Sequence, residues 1–334
     1  MEIGKISNEL LKKLVIGKKG AINKRIFLSS GVGEDFGAID FGGEYCIISG
    51  DPITGATKNA GKVAIHVACN DIATCGVRPV AVLTTLLLPP GTSEGELGAL
   101  ADEISETAAA LDVCVIGGHT EVTDAVTRVV ISVTAIGAAK KERLVKTGGA
   151  LAGDSLVMTG SAAIEGTAIL AAEREDELSA RFGAAFTESA ARLAADISVV
   201  EDGVTAGAFG VHAMHDATEG GIFGAAWEMA EASGKGLIVH KDNIPVAEET
   251  RAVCGFFDAD LYRMVSSGSM LIATDKPGDL ITVLGRSGIN AKEIGIFLSD
   301  PIDRYVRGAG GAKTRLEPPG PDELYKALDM DCNI

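Results

Sequence analysis

The stretch from Ile48 to Val80, ISGDPITGATKNAGKVAIHVACNDIATCGVRPV, sets the tightest limits on what this chain can fold into. An apolar strand-like run, Tyr45 to Ile48, stops on Gly50 and Asp51, and an apolar helix-like run, Val63 to Ala73, carries Asn70 and Asp71 in its middle. Burying an unpaired carboxylate costs several kcal/mol, so Asp51 and Asp71 need caps, cations or a bound metal. Asp51 has a plainer alternative as a turn or N-cap residue beside Pro52. That alternative is weaker for Asp71, because an aspartate in mid-helix between Ala68 and Ile72 caps nothing.

At 334 residues the chain exceeds the size at which one core stops growing, so two domains are expected, 1–148 and 149–334, divided near Gly148-Gly149. The 46 acidic against 30 basic residues give a net charge of −16, a field that repels phosphodiester backbones and anionic lipid. Nucleic acid and membrane surfaces are therefore poor partners. Six cysteines without CxxC spacing, most of them in apolar runs, suit a reducing cytoplasm. No window reaches the roughly 18 apolar residues of a membrane helix, and the first residues lack a signal-type apolar core.

Along the chain, Ser7 to Val15 reads as a short amphipathic helix, followed by Lys18, Lys19, Lys24 and Arg25, which form either a solvated face or an anion clamp. Residues 29–40, SSGVGEDFGAID, read as a flexible loop holding Glu34 and Asp35, since their glycine spacing is not the dinucleotide fingerprint. Gly55 and Gly61-Lys62-Val63 miss the P-loop pattern by one residue of spacing and the absent hydroxyl. Pro79 to Leu88 is a strand, and Ser93 with Glu96 forms a capping box for a helix to about Leu111. A short strand, Val113 to Ile116, ends in Gly117-Gly118-His119-Thr120-Glu121, where backbone can approach a ligand. Thr127 to Ile136 alternates as a strand with one buried face.

In the second half, AGDSLVMTG is a strand, helices are expected around Gly166 to Glu173 and Ala184 to Ala195, and the EREDE segment between them reads as a solvated turn. Asp216 ends a short strand before Thr-Glu-Gly-Gly and a helix from Ile222 to Ala232, which puts the N–H groups of Gly220 and Gly221 at a helix start suited to an anion. A zinc site from His212, His215 and Asp216 is disfavoured, because this spacing in a strand sends the histidines to opposite faces. A last helix is expected at Asp322 to Leu328. The arrangement is α+β rather than a regular βαβ array. Asp35, Asp51, Asp71, Glu121 and Asp216 stand beside glycine or small residues without histidine or cysteine clusters, which suits a hard cation such as Mg²⁺ shared with substrate phosphates.

The ordered set GVGEDFGAID, ISGDPIT, ACNDIATCGVRP, GGHTEV, AGDSLVMTG, HDATEGGIFGA and SSGSMLIA resembles the superfamily of AIR synthase, selenophosphate synthetase, thiamine monophosphate kinase and the hydrogenase maturation protein HypE, nearest the HypE branch. The resemblance implies a two-domain α+β fold with a PurM-like N-terminal domain that joins a second subunit in a dimer barrel, a PurM-like C-terminal domain, and ATP with Mg²⁺ in the cleft. It implies that Asp35, Asp51, Asp71 and Asp216 hold metal and phosphates, with Asp51, Asp71 and Asp216 catalytic. Asn70, Gly117, Gly118, His119 and Thr120 would contact the nucleotide. The implied chemistry is phosphate transfer from ATP to an amide, carbamoyl or related acceptor, small or protein-borne, in a homodimer that works with a maturation partner protein. A small-molecule kinase, an AIR-synthase-type ligase and a non-catalytic nucleotide-binding partner stay open. HypE-type chains end Pro-Arg-Ile-Cys with a substrate-carrying cysteine, whereas this sequence reads Asp331-Cys332-Asn333-Ile334, which leaves a carrier role for Cys332 open.

Overall fold

The computed structural model describes residues 6–18, 20–29, 31–54 and 59–330. Ser7 caps a short helix α1 (Asn8–Leu11), which continues as a wider turn over Lys12–Ile16, so the expected first helix is present but underwound. The first sheet contains β1 (Ile26–Leu28), β2 (Gly37–Asp40), β3 (Glu44–Ile53), β4 (Pro79–Leu88), β5 (Cys114–Val122) and β6 (Val130–Lys140), in the spatial order β1-β2-β3-β6-β4-β5. Only β4 and β5 pair in parallel, and they are joined by the crossover helix α3 (Glu94–Ala110), which starts on the Ser93/Glu96 capping box. Between β3 and β4 runs α2 (Ala60–Ala73).

The second sheet collects β7 (Ser155–Thr159), β8 (Ala213–Asp216), β9 (Gly236–His240), β10 (Met270–Thr274), β11 (Ala291–Leu298), β12 (Arg304–Arg307) and β13 (Lys313–Arg315) in the order β13-β12-β9-β11-β7-β10-β8. Around it lie α4 (Ile164–Glu173), α5 (Glu175–Phe182), α6 (Ala184–Arg192), α7 (Val200–Phe209), α8 (Gly221–Ser233), α9 (Glu248–Phe256), α10 (Pro277–Arg286) and α11 (Glu323–Asp329). β7 and β10 are buried at every residue, as near-continuous apolar runs in mid-sheet should be.

α2 explains how the two halves meet. All of its residues but Lys62 are buried, because the sheet covers one side and α7 the other. The contact with α7 is backbone to backbone: a Cβ on Gly203 would fall 2.2 Å from the Ala73 carbonyl oxygen. One apolar cluster accordingly runs from Ile47, Ile65 and Ile72 through to Val157, Met214 and Ile272 of the second sheet. The proposed division at 148/149 falls between β6 and β7.

Several expectations are corrected. Residues 29–40 are not all loop, since Gly37–Asp40 pair with β3 as β2. β3 does not stop at Gly50 but pairs with β6 as far as Ile53, so Asp51 lies in a strand and caps nothing. β5 likewise continues through Gly117 and Gly118 to Val122. Those glycines answer to strand packing, because a Cβ on Gly118 would fall 1.8 Å from the Thr84 oxygen of β4. The EREDE segment is not a solvated turn. It opens α5, where Arg174 pairs with Glu177 and donates to the carbonyls of Ala327, Leu328 and Met330, capping α11 from outside.

Candidate active site

Four carboxylates from four elements open onto one cleft between the sheets, with a volume of about 1250 Å³. Asp35 stands in the loop before β2, Asp51 on β3, Asp71 on α2 and Asp216 at the end of β8. Each is presented for a local reason. The two-residue period of β3 puts Ser49 and Asp51 on one face, and α2, buried all round, has no solvent side to which Asp71 could turn. Among the described residues, nine acidic side chains line the cleft against one basic residue, Arg128.

The electrostatics follow from this crowding. Asp71 is 5% exposed, and burial, followed by the charges of Asp216, Asp51 and Asp35, pushes its carboxyl well above the usual carboxylate range. Ser49 Oγ lies 2.5 Å from Asp71 Oδ2 and 2.7 Å from the Asp35 carbonyl oxygen. The Ser49 hydroxyl donates to Asp71 Oδ2, a bond that lowers the Asp71 pKa against the larger rise. Glu34, beside Asp35, is raised to about 7 by burial and then by the Asp35 charge. A divalent cation would relieve these repulsions, and an all-oxygen donor set suits Mg²⁺ better than a soft metal.

His215 lies beneath the carboxylates. Its Nδ1 is 2.8 Å from Asp35 Oδ2 and its Nε2 is 3.3 Å from Glu228 Oε2. Burial alone would lower its pKa, but the Asp35 charge and the hydrogen bonds to Asp35 and Glu228 outweigh it and hold the ring well above the usual histidine range. Asp35, His215 and Asp216 each offer a ligand atom within 4.8 Å of the others, yet both nitrogens of His215 are already engaged. His212 bonds Asp154 at 2.9 Å instead, so the two histidines do not share a site.

Other expected site residues lie elsewhere. Asn70 faces away from the cleft and is fully buried: its Nδ2 donates to the Ile197 carbonyl and its Oδ1 accepts from the Val199 N–H. The amide joins α2 to the segment before α7, and contact with a nucleotide is corrected to that structural role. Gly117, Gly118, His119 and Thr120 are exposed on β5 and do not line the cleft of their own chain. Glu121, on the same strand, pairs with His119 at 3.2 Å and does not join the other acids. The start of α8 is not open to a ligand anion, because the Gly220 N–H donates to Asp322 Oδ2 at 2.7 Å. The other oxygen of Asp322 accepts from Val265 and Leu324, while burial raises its pKa to about 6. Lys18, Lys24 and Arg25 do not line the cleft, and Lys19 and Cys332 lie outside the described residues.

Residues not anticipated as part of the cleft include Ser49, Arg128, Glu165, Ser267, Asp322 and Tyr325. Ser49 could have been found from its two-residue offset to Asp51. The others carry no local signal, since long-range packing brings α11 and the loop after β5 to the rim.

Two unequal sheets flanked by helices, with a carboxylate-lined cleft between them, define an α+β protein of the AIR synthase type. Residues 33–139 match the AIR synthase related protein N-terminal domain and residues 152–306 its C-terminal domain. The chain belongs to the AIR synthase related family. It is 27% identical over 280 residues to a putative hydrogenase expression/formation protein of Methanocaldococcus jannaschii, covering 82% of this chain and 81% of that protein. To the carbamoyl dehydratase HypE of Escherichia coli it is 28% identical over 228 residues, 68% of this chain and 65% of that one. Among solved structures, a HypE–HypF complex aligns with a TM-score of 0.75 at 18% identity, covering 93% of this chain and 99% of that one. AaThiL complexed with AMPPCP and TMP gives 0.73 at 19%, covering 96% and 99%. HypE in complex with ATP gives 0.68 at 18%, covering 97% of each. At such identities these structures speak for the fold alone.

Proposed function

We propose that the chain is a Mg²⁺-ATP-dependent enzyme that phosphorylates an amide, carbamoyl or related oxygen, in the manner of a HypE-like hydrogenase maturation protein. The observation that carries this reading is the meeting of Asp35, Asp51, Asp71 and Asp216 in one cleft. With Arg128 the one basic residue among the described lining residues, a polyphosphate in the cleft calls for cations to neutralise the charge. Bound there, Mg²⁺ would supply that neutralisation and fix the terminal phosphate for in-line transfer. Asp35, Asp51, Asp71 and Asp216 would hold it. The sequence likeness to the hydrogenase expression/formation protein and to the carbamoyl dehydratase HypE supports the amide or carbamoyl acceptor.

A second reading, a small-molecule kinase, is compatible with the fold, which AaThiL shares. Both readings call for a homodimer. β5 is an edge strand exposed at all nine residues, with Val115, Ile116 and Val122 bare beside Val80 and Leu83 of β4. In such a dimer Gly117 to Thr120 would reach a nucleotide only across the subunit interface.

The test is ADP release by the full chain with Mg²⁺-ATP and candidate amide, carbamoyl or phosphate-ester acceptors. Asp51→Asn and Asp71→Asn should each lower turnover at least ~100-fold, as loss of charge stabilisation at a transferring phosphoryl group does. Tight nucleotide binding without turnover on any acceptor would turn the assignment toward a nucleotide-binding partner.

A further inference from the structure

We infer that His215 is a positioning residue: the buried array Glu228–His215–Asp35 sets the direction of the Asp35 carboxylate and fastens this cation-facing loop to the second half of the molecule. The inference rests on the cation-and-nucleotide reading above and names a residue that reading does not use. Asp35 stands in a loop of the first half, where its side chain could turn freely about two bonds. His215 arrives 180 positions later, on β8, and α8 supplies Glu228. The His215 side chain is 5% exposed, and those of Asp35 and Glu228 are each 10% exposed. Water therefore offers these groups little competing hydrogen bonding.

The geometry assigns the roles. An N–H at Nδ1 reaches Asp35 Oδ2 at 2.8 Å, which leaves Oδ1 as the oxygen turned over to a cation. Nε2 lies 3.3 Å from Glu228 Oε2, so the ring is held at both ends. With both ring nitrogens within hydrogen-bond distance of carboxylates, His215 acts on the site through Asp35. Partners of this kind typically change metal affinity 10- to 100-fold when removed.

Two substitutions separate this role from mere packing. The amide nitrogen of asparagine sits where Nδ1 does, and that of glutamine where Nε2 does. His215→Asn therefore keeps the bond to Asp35, whereas His215→Gln gives it up and keeps the bond to Glu228. The measurement is Mn²⁺ binding to the full chain, followed by electron paramagnetic resonance in the presence of a non-hydrolysable ATP analogue, beside the thermal midpoint of each variant.

His215→Gln should weaken Mn²⁺ binding at least tenfold, and His215→Asn no more than about threefold. Equal weakening in both variants, or none in either, overturns the inference, as does a nitrogen coupling from His215 to the bound Mn²⁺. Should His215→Gln fail to fold, Glu228→Gln is read in its place, with a loss of about three- to tenfold expected and an unchanged affinity overturning the idea. Wild-type protein that binds no Mn²⁺ with the analogue defeats the functional reading itself, and this inference with it. Wild-type binding with indifferent variants defeats only the inference.

Discussion

Asn70 and Asp71 are neighbours on one helix with opposite duties. Asn70 spends its amide on the backbone of Ile197 and Val199, in the dark between α2 and α7. Asn70→Ala leaves a buried N–H and a buried carbonyl without partners, and should cost about 3 kcal/mol in urea unfolding while the KM for ATP of the folded fraction stays unchanged. A raised KM at unaltered stability would restore the residue to the nucleotide. Glu34 supplies a pH prediction. Its folded pKa of about 7 lies above the ordinary 4.5, so the protonated form favours the fold. That stability is complete below about 4.5 and is lost as pH rises through about 7. In metal-free protein, the thermal midpoint of Glu34→Gln relative to wild type should therefore climb between pH 5 and pH 8. A difference that stays level across this range would show that Glu34 ionises freely in the fold.

At the scale of elements, close backbone approach does work that composition only hinted at. The glycines of α7 and of β5 permit contacts that any side chain would block. Gly203→Ala would drive a methyl group to 2.2 Å from the Ala73 carbonyl oxygen and should destabilise the fold by about 3 kcal/mol, read by urea denaturation. Were it tolerated at under ~0.5 kcal/mol, α2 and α7 would have to be freer to part than the packing implies. The short α11 is a second case. Asp322 caps it and joins Gly220 and Val265, while Arg174 takes up the carbonyls at its other end. Seven residues of helix have little stability alone, so these side chains hold the cleft wall in place.

For the whole molecule, the arrangement of charge and exposed edge matters most. A chain of net charge −16 concentrates acid in this cleft, so on the proposed nucleotide reading cations must enter with the anionic substrate. In the homodimer proposed above, the apolar edge at β5 would meet a second copy of the chain. Ile116→Lys, placing a charge at a bare edge position, should shift the mass in solution from dimer to monomer by light scattering. A wild-type monomer at micromolar concentration would remove the reason for that edge. Among the described residues no helix is long and apolar enough to cross a membrane.

Local chemistry made much of this readable in advance. The Ser93/Glu96 capping box, the strand from Pro79 to Leu88, and the aspartates set against small apolar neighbours each follow from interactions within a few residues. The motifs in their order also pointed to the family. The meeting of Asp35, Asp51, Asp71 and Asp216 in one cleft was implied by the family resemblance and by no local pattern, and tertiary structure alone decided that Asn70 turns away from it and that His215 bonds Asp35. It also gave the start of α8 to Asp322, from 102 residues further along the chain. The reason is physical: a hydrogen bond or charge contact between distant residues leaves no periodicity in the sequence, because its partners are brought together only when the sheets and helices pack.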